Sequence, residues 1–292
     1  MVIDAHNHPD WHKHDFDTFI KNMDTYGIDK TWLLSWETPH GDYSPDSTYA
    51  VSGQIFMGEN CVPIPFSRCL EYYRRAPERF VLGYAPDPHR ADAIDALRAA
   101  VDLFDVKVCG EVKFRILYDD PDAVDLFRFC GDAHLPVTLH FDYPEATRSK
   151  GNYPRRNWWY GGSIEHLDQL LTLCKDTAFL GHAGGFWGHI SGDDRARTEV
   201  APKGPVLPGG MVEALLTKHP NLYCDISAGS GRNALSRDLE YAYRLICRFP
   251  DRFLYARDCL DNSHMELIER LSLPKDVRDL VMHGNAERLI SK

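Results

Sequence analysis

The chain has 292 residues, 43% of them hydrophobic and 26% charged, which is globular usage at a length that suits one α/β barrel. No apolar run reaches the roughly 18 residues of a membrane span, and a formal net charge of −10 opposes binding to nucleic acid or an anionic membrane. A small-molecule partner is expected, in one domain over 1–292, with a homo-oligomer left open.

The first residues, Met1 to His6, read as a strand and lack the basic start and apolar stretch of a signal peptide, so a cytoplasmic location is expected. The eight cysteines include no Cys-x-x-Cys pair and mostly sit in apolar stretches, so neither a thiolate metal site nor a disulfide framework is expected.

In chain order, short β-branched or aromatic runs alternate with segments of helical apolar spacing. A first predicted strand, Val2–His6, leads to a helix capped by Asp15, with Phe16, Phe19, Ile20 and Met23 on one face and Gly27 as its stop. Strands follow at Thr31–Ser35 and Phe80–Tyr84, then a stripe of Ile94, Leu97 and Val101, then strands at Cys109–Phe114 and Val137–Phe141. The second half gives a stripe of Ile164, Leu167, Leu171 and Cys174, strands at Ala178–His182 and Leu222–Ile226, a stripe of Leu235, Leu239, Ala242 and Ile246, and a last strand at Phe253–Asp258. Eight such units, with no Gly-x-Gly-x-x-Gly after the first strand, predict a (β/α)8 TIM barrel with extended βα loops rather than an open doubly wound sheet. Residues 36–66, 142–162 and 183–208 are the long connections, and in a barrel they rise from the C-terminal face, where active sites sit.

The chemistry collects at strand ends. His6 and His8 are two apart, so a strand points both imidazoles to one face. His140 closes the fifth strand, His182 the sixth, and Asp258 the eighth. Imidazoles and a carboxylate converging at a barrel mouth suit a divalent ion, zinc being the expected one, which can lower the pKa of bound water to about 7.

The ordered series Asp4-x-His6-x-His8, Glu111, Leu139-His140, Gly181-His182-Ala183-Gly184-Gly185, Asp258 and Gly284-Asn285-Ala286-Glu287-Arg288-Leu289 resembles the amidohydrolase superfamily over nearly the whole chain. Within it, the likeness is to the amidohydrolase-related branch that also contains decarboxylases and lactone hydrolases. The resemblance implies His6, His8 and His140 as metal ligands, His182 as a ligand or a partner to the substrate, and Asp258 as both ligand and general base. Arg257 stands before Asp258 where the family commonly has a small residue. Strand alternation sends Arg257 toward the helix layer if Asp258 points inward, with Asp261 as the substitute carboxylate otherwise. On the fourth strand Glu111 and Lys113 must face the same way, and the resemblance offers Glu111 as a metal ligand or Lys113 as a carbamylated bridge between two metals; a buried ion pair is the structural alternative.

Arg148, Lys150, Arg155 and Arg156, followed by Trp158, Trp159 and Tyr160, form a basic and aromatic loop that would receive an acidic or aromatic substrate, with Phe186, Trp187 and His189 as a further wall. The leading expectation is a metal-dependent hydrolase cleaving a C–N or C–O bond of an amide, lactone or ester. The alternatives are a nonoxidative decarboxylase and, from another class, a noncatalytic metal- or ligand-binding barrel.

Overall fold

The computed structural model describes residues 1–37, 39, 64–141, 159–195, 199 and 201–291. Its strands are β1 (Ile3–Asn7), β2 (Lys30–Leu34), β3 (Phe80–Gly83), β4 (Cys109–Val112), β5 (Val137–His140), β6 (Phe179–His182), β7 (Leu222–Asp225) and β8 (Phe253–Leu254). Adjacent strands pair in parallel and in sequence order, β1 to β3 in one ladder and β4 to β8 in another. A parallel bridge between Gly83 and Val108 joins the two ladders. Across the remaining seam, the Ala5 N–H donates to the Tyr255 carbonyl and the Asp258 N–H to the His6 carbonyl, each at 2.9 Å. The ring therefore closes, as the strand pattern predicts: the fold is a TIM barrel.

The helices between strands include α1 (Phe16–Tyr26), α2 (Phe66–Arg75), α3 (Ala93–Phe104), α4 (Pro121–Asp132), α5 (Ile164–Leu173), α6 (Met211–Lys218), α7 (Ala228–Ser236), α8 (Leu239–Arg248), α9 (Ser263–Leu271) and α10 (Asn285–Ile290). The Asp15 carboxylate accepts the Thr18 N–H at 2.9 Å, and Gly27 ends α1 at a left-handed φ of 63°, the conformation a side chain disfavours. The predicted stripe from Leu235 to Ile246 divides between two helices. Asp238 stands in extended backbone and its carboxylate accepts the Tyr241 N–H, so it starts α8 and leaves Leu235 on α7. Among the described residues no helix is long and apolar enough to cross a membrane.

Two cores follow from strand alternation. Ile3, Ala5, Trp32, Leu34, Val81, Val108, Leu180, Leu254 and Ala256 fill the barrel interior, closed below by Ala286 and Leu289 of α10. Their neighbours in the strands, such as Leu33, Leu82, Cys109, Phe179 and Phe253, pack outward against the helices. In two strands the alternation is broken. Asp4 pairs with Thr31 but Asn7 with Leu33, and Cys109 pairs with Val137 but Val112 with Leu139, so β1 and β4 each carry one extra residue. Such a bulge re-aims the side chains that follow it. After Ile3 and Ala5 have pointed inward, His6 and His8 do so as well, and Glu111 joins Gly110 on the inner face.

Candidate metal centre

At the C-terminal mouth, the inward-turned ends of β1, β4, β5, β6 and the segment after β8 bring His6, His8, Glu111, His140, His182 and Asp258 into one buried cluster. The Nε2 atoms of His6 and His8 lie 3.2 Å apart. The Glu111 Oε2 is 3.3 Å from His8 Nε2 and 3.9 Å from His6 Nε2, and Glu111 Oε1 is 3.7 Å from His182 Nε2. Asp258 reaches in from the opposite side, its Oδ1 3.6 Å from His8 Nε2 and its Oδ2 3.9 Å from His182 Nε2.

The other ring nitrogens are held from behind. His6 Nδ1 lies 2.6 Å from Asp225 Oδ2, His8 Nδ1 2.8 Å from the Leu34 carbonyl, and His182 Nδ1 2.9 Å from Ser227 Oγ. A carbonyl can only accept, so His8 carries its proton on Nδ1, and a carboxylate imposes the same tautomer on His6. Neutral rings in that state aim two lone pairs at each other across 3.2 Å, which either a proton on one ring or a metal ion between them relieves. The buried His182 Nε2 and Asp258 Oδ1 have no hydrogen-bond partner and face the same space. These donors fit a divalent ion: the ligand atoms of His6, His8 and Glu111 all lie within 4.8 Å of one another, as do those of Glu111, His140 and His182. His140 differs from the other imidazoles in presenting Nδ1, which hydrogen-bonds to Glu111 Oε1.

Electrostatics agree. Burial resists charge on His6, but Asp225 at its Nδ1, with Glu111 and Asp258 beyond, pushes the imidazole up to about 10. Burial would raise Asp225, yet His6 and His182 hold it down at about 2. Glu111, against its burial, is held well below the ordinary carboxylate range by His140 and Lys113, while burial lowers His182 and raises Asp258. The carboxylates Glu111, Asp225 and Asp258 thus stand against Lys113 and a protonated His6, and a divalent ion seated at the cluster would take the place of the proton on His6 Nε2.

The remaining sequence-derived residues divide. Lys113 Nζ sits 3.9 Å from the centre of the Trp36 ring and 5.7 Å from that of Tyr160, a cation–π position beside the cluster. Tyr160 is fully buried, its ring edge-on to His140 at 5.8 Å, and Trp159 is partly exposed. Trp187 is buried behind the centre, where its indole N–H donates to the Asp225 carbonyl at 2.8 Å. Arg257 points to the helix layer, bonding Asp4 and Asn22 at 2.8 Å each, which leaves Asp258 as the inward carboxylate. Asp261 is largely exposed, and its carboxylate accepts from the Ser263 N–H and hydroxyl at the start of α9. Arg148, Lys150, Arg155, Arg156 and Trp158 lie outside the described residues. His264, read from sequence as a surface or helix residue, is buried on α9, and His219 is buried after α6 because it bonds Asp168.

Sequence reasoning assigned no role to Ser227 or Trp11. Ser227 stands two residues past Asp225, so the strand-end pattern extended by one step reaches it. Trp11 packs its ring 5.4 Å from His8 and donates its indole N–H to the Asp258 carbonyl, a contact between distant segments that no local pattern encodes.

No protein-family profile matches the chain, and no curated protein matches it. Solved structures do. The chain is similar to 5-carboxyvanillate decarboxylase from Sphingomonas paucimobilis, with 14% identity and a TM-score of 0.62 over 99% of this chain and 98% of that one. A dihydroxybenzoic acid decarboxylase from Polaromonas sp. JS666, solved with manganese and the inhibitor 2-nitroresorcinol, shares 16% identity and a TM-score of 0.61 over 99% and 96%. A probable 2-pyrone-4,6-dicarboxylic acid hydrolase from Acinetobacter baumannii, with citric acid bound, shares 13% identity and a TM-score of 0.57 over 100% and 99%. At such identities the likeness establishes a common barrel.

Proposed function

We propose that this chain is a divalent-metal-dependent enzyme of the amidohydrolase superfamily that acts on a small, carboxylated molecule. The observation that carries the reading is the convergence of the His6, His8 and His182 Nε2 atoms on Glu111 and Asp258, with each ring fixed from behind by a different partner. His6, His8, Glu111 and His140 would hold the ion, with His182 as a further ligand or a contact to the substrate. Bound there, a divalent ion supplies Lewis acidity, polarising a carbonyl or acidifying water. Zinc and manganese both suit nitrogen and oxygen donors.

The residues then do the proton work. Asp258 in its free-ion state is raised by burial, but beside a dication the charged form is favoured, so it becomes a base near neutral pH. That favours hydrolysis of an amide, lactone or ester, in which Asp258 accepts the proton of the attacking water and returns it to the leaving group. The substrate's own carboxylate would be met by Lys113, held in place by Trp36 and Tyr160.

A second reading, nonoxidative decarboxylation, draws support from the similarity to two decarboxylases over 99% of this chain. There Asp258 would deliver a proton to the carbon that loses its carboxylate. The metal-loaded protein is to be assayed against lactones and carboxylated aromatics while both acid release and carbon dioxide are followed. Acid without carbon dioxide is expected for the hydrolase, carbon dioxide with proton uptake for the decarboxylase. Stoichiometric metal binding with turnover of neither panel would support a binding barrel and contradict the catalytic reading.

A further inference from the structure

We propose that Cys259, Asp261 and His264 form a second divalent-metal site, with sulfur, oxygen and nitrogen donors, where the loop after Asp258 enters α9. One ligand atom of each residue lies within 4.8 Å of the others. The decisive residue is His264, which is 1% exposed. Its Nε2 donates to the Ala228 carbonyl at 2.9 Å, and since a carbonyl only accepts, the proton is on Nε2 and a lone pair on Nδ1. That Nδ1 is buried without a hydrogen-bond partner, a costly state for a polar atom unless a donor or cation meets it.

The loop is already shaped. Asp261 Oδ1 accepts from the Ser263 N–H at 2.9 Å and from the Ser263 hydroxyl at 2.6 Å, and its Oδ2 makes a long, exposed ion pair with Arg232 Nη1 at 3.9 Å that a bound metal would replace. The Cys259 carbonyl accepts from Asn7 Nδ2 at 2.8 Å, which ties the loop to β1. Asp261 is largely exposed, so ions reach the site from solvent and a fourth position stays open for water. A thiolate beside imidazole and carboxylate selects zinc, cobalt or cadmium over magnesium or calcium. The sequence offers no Cys-x-x-Cys pair; here a single sulfur takes Asp and His as companions from a Cys-x-Asp-x-x-His spacing.

Cobalt(II) reports this site separately, because a thiolate-to-cobalt transition absorbs in the near ultraviolet and, among the described residues, the candidate centre at the barrel mouth contains no sulfur. Titration of the full chain with cobalt should develop that band. Cys259→Ser should abolish it, Asp261→Asn should weaken its saturation, and a His6→Ala, His8→Ala double variant should retain it. Circular dichroism of each variant checks that it is folded. Absence of the band in the unmodified chain, or its persistence in Cys259→Ser, would overturn the proposal. Its loss in the double variant would show that the thiol serves the mouth centre instead, which also overturns a separate site. Because the band does not require metal at His6 and His8, failure of the proposed function leaves this test intact.

Discussion

At the scale of single residues, the centre depends on two carboxylates with different tasks. Asp258 has one oxygen near His8 and the other near His182, and its backbone carbonyl is fixed by Trp11. With Asp258 as the proposed base, Asp258→Asn keeps the shape and removes that function, so turnover should fall by about 10²–10⁴ with little change in fold, as compared at matched metal occupancy by steady-state kinetics. Asp225 meets His6 at Nδ1, the ring nitrogen turned away from His8 and Glu111, where it fixes the tautomer and supplies negative charge. Asp225→Ala should weaken metal affinity by about 10–100-fold, read by competition against a chromophoric chelator, with the barrel still formed. Near-normal affinity in that variant would show that His6 needs no second partner.

At the scale of elements, the strand pattern was legible because a fully buried parallel strand reads as a continuous apolar run, and each predicted strand overlaps an observed one. Ends were less legible: β8 is a two-residue ladder, since the chain from Tyr255 onward makes its bonds to β1 and to the C-terminal segment instead. The strand-end rule pointed to four histidines and Asp258, and the family resemblance to Glu111, but neither gave a sign of the bulges in β1 and β4. A bulge depends on the register of the neighbouring strand, which one strand's sequence does not state. The contacts of Trp11 and Ser227 were hidden for the same reason. Between α5 and α6, Asp168 is held below the ordinary carboxylate range by Lys218 and then His219, at 2.7 Å and 2.5 Å. A depressed carboxylate contributes stability that is full above its unfolded pKa and lost as pH falls through its folded value. Urea midpoints should therefore decline on acidification below the usual carboxylate range, with a shallower decline in Asp168→Asn. Identical slopes would show that the clamp contributes nothing.

At the scale of the whole molecule, the barrel interior is apolar up to the level of Leu34, Leu180 and Ala256, and the polar cluster sits above it on the strand ends. Eight strands thus supply a rigid floor, and the ligands are delivered by backbone that the ladders fix. We propose that this mouth holds a divalent ion between His6, His8 and Glu111, with His140, His182 and Asp258 around it. Diffraction data collected at the absorption edge of zinc or manganese, from crystals of the loaded protein, test it most directly. An anomalous peak bounded by the His6 and His8 Nε2 atoms and the Glu111 carboxylate is expected. A loaded crystal with those side chains in place and no peak at the mouth would contradict it.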